Sequence, residues 1–139
     1  MNHSELLDAL GESICSESTV EFAVAFGSQT TGEATPRSDF DIAVKFADDL
    51  SDRERFETQC FLSGHVQRED TPFVDISDIE SLPVAIAHDA VNGTLICGDE
   101  DAFEQFKMVT EAAFTRQEED IRSEQRAVID RIAEEGLRG

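Results

Sequence analysis

Asp39 and Asp41 are the residues of this sequence whose types and spacing most directly suggest chemistry. They open a segment whose residue pattern predicts a β-strand over Phe40–Phe46. Because side chains alternate between the faces of a strand, both carboxylates share one face and the apolar side chains share the other. Two like charges so close are costly unless a cation neutralises them, and the hard, oxygen-seeking ion Mg²⁺ would do so. The alternative is a pair of solvated acids on an exposed strand.

Asp75 adds a third carboxylate to this hypothesis. It lies inside the short apolar run 73–76, where a lone carboxylate is expensive unless it is paired or metal-bound. If its strand lies beside the strand of Asp39 and Asp41, the three carboxylates form the cluster that two-metal nucleotidyl or phosphoryl transfer requires. The alternative is an acid at a strand end that faces solvent. Asp78, three residues on, is expected to be a solvated loop residue.

Gly27 and Ser28 follow directly after a predicted buried strand, Val20–Phe26. A glycine at this point lets a phosphate approach the backbone, and the serine can cap a helical turn and donate a hydrogen bond. Free N–H groups at such a turn attract anions. Any tight turn could use the same two residues, so the pair matters because it precedes Asp39 and Asp41.

The elements that must position these residues alternate between helix and strand. Apolar spacing predicts a helix over 4–15, and a capping box at Ser51 and Glu54 predicts a helix over 51–62. The other predicted elements are a connection with one helical turn at 27–38, a strand at 71–76, a helix from Pro83 to Val91, a strand at 94–97 and a helical segment at about 101–135. This order predicts an α/β (α+β) fold, a small mixed sheet with helices packed on it.

The C-terminal helical segment carries an apolar stripe along its length, with room for a break. Packing against the core is the expected role of this stripe. For its distal part, Ile121–Ile132, the alternative is docking of a partner or of a second copy of the chain.

Acidic residues dominate the composition: 31 Asp and Glu stand against 11 Lys and Arg, for a formal net charge of −20. Such a surface repels phosphate backbones, so direct binding of DNA or RNA is not expected. The acids are scattered along the chain rather than gathered in a tail, which favours adaptation to a salt-rich cytoplasm and predicts a halophilic source. The alternative is an acidic face for a basic partner.

The length of 139 residues predicts one domain over 1–139, with the helical segment at about 101–135 at its C-terminal end. No run approaches the roughly 20 apolar residues of a membrane span, and the polar start of the chain lacks a signal-peptide pattern, so a cytoplasmic protein without a membrane partner is expected. Cys15, Cys60 and Cys97 are expected to be buried or semi-buried free thiols in a reducing cytosol, because they show neither a disulfide framework nor a zinc spacing.

Gly27-Ser28, followed after ten residues by Asp39-Phe40-Asp41, resembles the signature of the DNA polymerase β-type nucleotidyltransferases. The wider segments that are similar to the minimal nucleotidyltransferase (MNT) branch are 26–32, 38–44, 74–76 and 92–96. The resemblance covers roughly residues 18–108, and the combined motif is far more specific than any of its parts.

The resemblance implies the polymerase β-type nucleotidyltransferase fold and a role for each motif residue. Gly27, Ser28 and Ser38 would bind the triphosphate of ATP. The three aspartates would be the catalytic and metal-binding residues, with Asp39 and Asp41 binding two Mg²⁺ ions. Many MNT proteins are antitoxins encoded beside a HEPN-domain ribonuclease toxin, and members of this group transfer AMP from ATP to a tyrosine of the toxin. The implied protein is therefore an adenylyltransferase that forms a hetero-oligomer with a HEPN toxin and neutralises it.

The sequence departs from the family pattern after Gly27-Ser28. Where relatives often have Ala-Arg-Gly, this chain has Gln-Thr-Thr-Gly at 29–32, and a basic residue near the phosphates is lost. Arg37 could substitute for it, although a solvated loop arginine is the simpler interpretation. Two alternative functions stay open: an antitoxin that acts by binding alone, and a nucleotidyltransferase with a small-molecule acceptor. The short chain argues against the second, because it leaves no further domain to build an acceptor pocket.

Overall fold

The computed structural model describes residues 2–27 and 39–135 of the chain. The elements follow in the order helix α1 (His3–Cys15), strand β1 (Val20–Phe26), strand β2 (Phe40–Phe46), helix α2 (Asp52–His65), strand β3 (Val74–Asp78), a 3₁₀ turn (Ile79–Ser81), helix α3 (Val84–Val91), strand β4 (Thr94–Gly98) and helix α4 (Glu100–Glu135). This is the predicted order, with the 3₁₀ turn as an addition.

The strands form a four-stranded mixed sheet in the order β3-β2-β1-β4. β1 pairs antiparallel with β2 and with β4, whereas β2 and β3 are parallel. A parallel pair needs a crossover connection, and α2 provides it. The predicted small mixed sheet is therefore confirmed, and the strand that carries Asp75 lies directly beside the strand that follows Asp39.

Helices cover both faces of this sheet. α1 and α2 pack on one face, where Ile14, Phe46 and Leu62 are fully buried. α3 and α4 pack on the opposite face, around Phe22 and Val91. Burial on both faces explains why β1 and β2 are almost continuously apolar instead of alternating with polar residues.

Most of the predicted boundaries are confirmed. α1, β1 and β2 span the expected residues, and the capping box forms with a hydrogen bond of 3.1 Å from the Glu54 N–H to the Ser51 hydroxyl. β3 begins at Val74 rather than at residue 71, since Pro72 has no N–H to give to a sheet. Pro83 precedes α3 as its N-cap, because its ψ of 150° is extended. The predicted helical turn at 28–38 lies outside the described residues.

α4 is one continuous helix of 36 residues, without the break for which its sequence leaves room. In its distal half Ile121, Val128, Ile129 and Ile132 are 48–64% exposed. The expectation that this part of the stripe packs into the core is therefore wrong. The physical reason is length: 36 residues rise about 54 Å, more than a four-stranded sheet can cover. Despite this length, no helix among the described residues is apolar enough to cross a membrane.

Cys15, at the end of α1, forms a disulfide with Cys97 in β4, and 6.3 Å separate the two Cα atoms. The expectation of buried or semi-buried free thiols is wrong for this pair. Cys60 is a free thiol as expected, but it is exposed. The two bonded cysteines are 82 residues apart, so spacing gives no sign of the pairing. The packing of α1 against β4 brings them together.

Breaking this disulfide is expected to lower the melting temperature. The bond closes a loop of 82 residues and restricts the unfolded chain, which corresponds to about 2–4 kcal/mol and roughly 10 °C in Tm for a chain of this size. Thermal unfolding with and without a reducing agent measures the effect, and Cys15→Ser should reproduce it. Cys60→Ser removes a free thiol and is the matched control. Equal melting temperatures for the reduced and oxidised protein would contradict the prediction.

The buried side chain of Lys45 in β2 forms ion pairs with three carboxylates that are half-buried or exposed. Its ammonium group lies 2.9–3.4 Å from the carboxylates of Glu21, Asp48 and Glu80. Burial disfavours the charge, but the hydrogen bond with Asp48 and the charges of Glu80 and Glu21 outweigh it and raise the pKa of Lys45. These ion pairs thereby offset the cost of burying a charged lysine in β2.

Asp78 is only 5% exposed, so its expected role as a solvated loop residue is wrong. Its carboxylate accepts a 3.0 Å hydrogen bond from the Glu80 N–H and thereby caps the 3₁₀ turn. It also lies 3.4 Å from the Arg55 guanidinium, which reaches it from α2. Asp78 therefore connects the end of β3 to the crossover helix.

Candidate active site

Asp41 and Asp75 occupy paired positions on adjacent strands. In the parallel register of β2 with β3, Asp41 lies opposite Asp75, and Phe40 lies opposite Val74. Phe40 and Val74 are buried in the core that α1 and α2 cover, so alternation directs the two aspartates to the other face of the sheet. Asp39 directly precedes β2 and is near enough to act on Asp41 electrostatically. The predicted neighbourhood of the two strands is thus found, and it places Asp41 beside Asp75.

Asp41 is half-buried, whereas Asp39 and Asp75 are exposed. Burial raises the pKa of the Asp41 carboxyl above 3.8, and the negative charges of Asp75 and then of Asp39 raise it further. The ionised form of Asp41 is therefore less favourable here than in a solvated aspartate. A cation held between the carboxylates would remove that cost, which is a physical reason to expect one.

Gly27 lies against Asp41 at the end of β1. The register of β1 with β2 pairs Phe26 with Asp41, so the next residue, Gly27, reaches the carboxylate. Its φ of +85° is in the left-handed region, and a Cβ at this position would lie 2.6 Å from Asp41 Oδ2. Glycine is thus required both for the backbone conformation and for the close approach. Ser28 and Ser38, the other two predicted nucleotide-binding residues, lie outside the described residues.

The three carboxylates suit a hard divalent cation in chemistry without forming a closed cage. In the described ranges, 2–27 and 39–135, no group of three or more His, Cys, Asp and Glu side chains is placed to hold a metal ion. The donors nevertheless fit, because carboxylate oxygens are preferred Mg²⁺ ligands. Mg²⁺ commonly keeps several waters and is held by one or two carboxylates together with substrate phosphates. An incomplete protein cage is therefore compatible with a nucleotide-dependent site.

Two further residues, Gln59 and Gln67, contact the strand that carries Asp75, and no sequence pattern indicates a role for them. The side-chain amides of Gln59 and Gln67 bind backbone groups of β3 on both sides of Asp75. Glutamines on a helix and just after it carry no spacing signal for such a contact. Only the packing of α2 against β3 reveals it.

Comparison with protein families identifies the family to which the chain belongs. A family profile described as "Polymerase beta, Nucleotidyltransferase" matches residues 10–102, well over half of the chain. The matched range contains Gly27 and all three aspartates. The chain belongs to this nucleotidyltransferase family, and the resemblance inferred from its motifs is confirmed.

Several solved structures that share the fold come from toxin–antitoxin complexes. A chain of a toxin–antitoxin complex with AMP-PNP superposes with a TM-score of 0.63 at 22% identity, covering 91% of this chain and 98% of that chain. A chain of the MntA–HepT toxin–antitoxin gives 0.60 at 21% identity, covering 93% and 97%. A chain from the complex of a tri-AMPylated Shewanella oneidensis HEPN toxin with its MNT antitoxin gives 0.59 at 21% identity, covering 94% and 98%. Curated protein sequences give no match.

Proposed function

We propose that this chain is the antitoxin of a HEPN/MNT pair, and that it silences its partner by transferring AMP from ATP to a tyrosine of the HEPN ribonuclease. The observation that carries the proposal is the register that places Asp41 beside Asp75, with Gly27 against Asp41, in a nucleotidyltransferase fold. The related complexes, one with AMP-PNP and one with an AMPylated HEPN toxin, support the nucleotide and the partner.

The proposed chemistry assigns a role to each residue of the site. Gly27, Ser28 and Ser38 bind the triphosphate, and the three aspartates hold two Mg²⁺ ions. When bound, these ions neutralise the triphosphate charge. The tyrosine oxygen forms a bond to the α-phosphorus while the bond between that phosphorus and the oxygen of the β-phosphate breaks. AMP passes to the tyrosine, pyrophosphate leaves, and one of the three carboxylates accepts the phenolic proton.

The distal α4 stripe (Ile121, Val128 and Ile132) is the proposed docking surface for the toxin. At 100° per residue these side chains lie on the same side of α4 as Phe103 and Thr110, which are buried against the rest of the protein. The face that packs on the sheet therefore continues beyond it with its apolar character intact. An exposed apolar helix face of this kind fits the groove of a protein partner.

Placing charges on this stripe is expected to dissociate the complex. Ile121→Glu together with Val128→Glu would bury two carboxylates in the interface and weaken binding to the toxin by at least about 100-fold. Calorimetric titration with the product of the neighbouring toxin gene measures the loss. Met108→Glu with Val109→Glu, which changes exposed apolar residues elsewhere on α4, is the control. The assignment fails if toxin affinity is unchanged, or if light scattering shows that the substitutions instead disrupt a dimer of this chain.

Neutralisation of the toxin in cells tests the proposed function. The toxin would be co-expressed with the wild-type chain or with an Asp39→Ala, Asp41→Ala variant, and growth and co-purification would be followed together. We expect the variant to bind the toxin without restoring growth. Full neutralisation by the variant would support an antitoxin that acts by binding alone, the alternative that the loss of a basic residue at 29–32 favours.

We also propose that the excess of acidic residues is an adaptation to a salt-rich cytoplasm. The chain is proposed to be one domain over residues 1–139. With a net charge of −20, self-repulsion opposes the compact state and salt screens it. Thermal unfolding at increasing KCl should therefore show Tm rising up to molar concentrations. A melting temperature that is independent of KCl would contradict this interpretation.

A further inference from the structure

β3 lies at the edge of the sheet, and two glutamine side chains cover the edge that faces away from β2. Gln67, which follows α2, donates to the Val74 carbonyl at 2.7 Å and accepts from the Val74 N–H at 3.0 Å. Gln59, within α2, donates to the Ile76 carbonyl at 2.9 Å. The amides thus make the backbone contacts that a further strand would make.

These contacts bracket Asp75, because they hold the residue on either side of it. On the opposite edge, the Phe40 N–H donates to the Phe73 carbonyl at 2.8 Å and begins the pairing with β2. Gln67 is itself held in place by a 2.8 Å hydrogen bond to the Ser63 carbonyl at the end of α2. The five-residue strand is therefore bound along both edges around Asp75.

We infer that Gln67 and Gln59 are positioning residues for Asp75: they hold β3 in the register that places this carboxylate beside Asp41. A slip of one residue would turn Asp75 into the core and Val74 out of it. Fraying of the short strand would move Asp75 away from Asp41. Parallel pairing is slightly less stable per residue than antiparallel pairing, so an edge strand this short gains from a second set of backbone contacts.

Amide hydrogen exchange tests the structural half of this inference without any substrate or metal. In Gln67→Met, which keeps the size of the side chain and removes its hydrogen bonds, the Phe40 amide should exchange about tenfold faster. The Ala47 amide, which donates to the Thr19 carbonyl on the β1 side, should be unchanged. Gln105→Met, on the exposed surface of α4, is the control variant. Unchanged exchange at Phe40, or equal acceleration at both amides, would overturn the inference.

The kinetics of AMP transfer test the functional half, which rests on the proposed function. Displacement of Asp75 affects the chemical step, so Gln67→Met should lower kcat by about tenfold to a hundredfold with KM for ATP little changed. Gln59→Met, which removes one bond rather than three, should have a smaller effect. An unchanged kcat would refute the positioning role. Absence of transfer by the wild-type chain would count against the proposed function instead, and the exchange at Phe40 would still decide whether the glutamines hold β3.

Discussion

Asp41→Asn is expected to abolish AMP transfer and, in the metal-free protein, to raise the melting temperature. Asparagine keeps the shape of the side chain and removes the charge that would hold a cation. Metal ions contribute several kcal/mol to such transition states, and each 1.4 kcal/mol is a factor of ten, so the rate should fall by at least about 1000-fold. Stability should rise, because burial and the charges of Asp75 and Asp39 make ionised Asp41 less favourable in the folded protein than in the unfolded chain.

The raised pKa of Asp41 also sets the direction of a pH effect. A carboxyl whose pKa is higher in the folded state stabilises the fold when protonated, and this stabilisation is lost as the pH rises through the raised pKa. In the presence of a chelator, the wild-type protein should therefore lose stability relative to Asp41→Asn as the pH rises above 3.8, the ordinary value.

Thermal unfolding and transfer assays on the same preparations check both parts of this prediction. Asp89→Asn, which removes one negative charge from an exposed position on α3, controls for net charge and should change neither property appreciably. An Asp41→Asn protein that melts below the wild type in chelator, or that still transfers AMP, would show that the three aspartates are not the proposed catalytic site.

Gly27→Ala should cause the second largest loss of activity, through the position of Asp41. The new Cβ would lie 2.6 Å from Asp41 Oδ2, so the carboxylate must move. A displacement of about 1 Å at a catalytic group can cost about 100-fold in rate. The φ of +85° adds strain of about 1–2 kcal/mol for alanine, so Tm should fall by roughly 3–7 °C. Transfer kinetics together with thermal unfolding measure the two effects.

Gly64→Ala is the matched control for this substitution. Gly64 lies in α2, and a Cβ there would have no heavy atom within 4 Å. Alanine favours a helix by about 0.5–1 kcal/mol over glycine, so the control should be slightly more stable and fully active. If Gly27→Ala retains the activity of Gly64→Ala, the close approach of Gly27 to Asp41 has no part in catalysis.

The local framework of the site could be predicted from the sequence, because it depends on neighbouring residues. The pattern of residues 40–46 predicts β2, and the capping box at Ser51 predicts the start of α2; both are confirmed. The proximity of Asp41 to Asp75 could be predicted only on the condition that their two strands pair. The sequence indicates that each lies in a strand, whereas their pairing depends on the crossover through α2.

Contacts between residues far apart in the chain could not be predicted. Cys15 and Cys97 meet because α1 packs on β4, and the buried Asp78 forms an ion pair with Arg55 of α2. Gln67 binds β3 through a side-chain amide, for which no sequence pattern exists. The exposure of the distal part of α4 could not be predicted either, because the spacing of apolar residues identifies an apolar helix face but does not show what packs against it.

Transfer of label from ATP to the partner protein tests the central claim most directly. The chain would be incubated in high salt with Mg²⁺ and ATP labelled at the α-phosphate, with and without the product of the neighbouring toxin gene, and label and intact mass would be followed. We predict that AMP appears on the toxin, and that the Asp39→Ala, Asp41→Ala variant produces none. A stable complex in which neither protein gains label would contradict the account and identify an antitoxin that acts by binding alone.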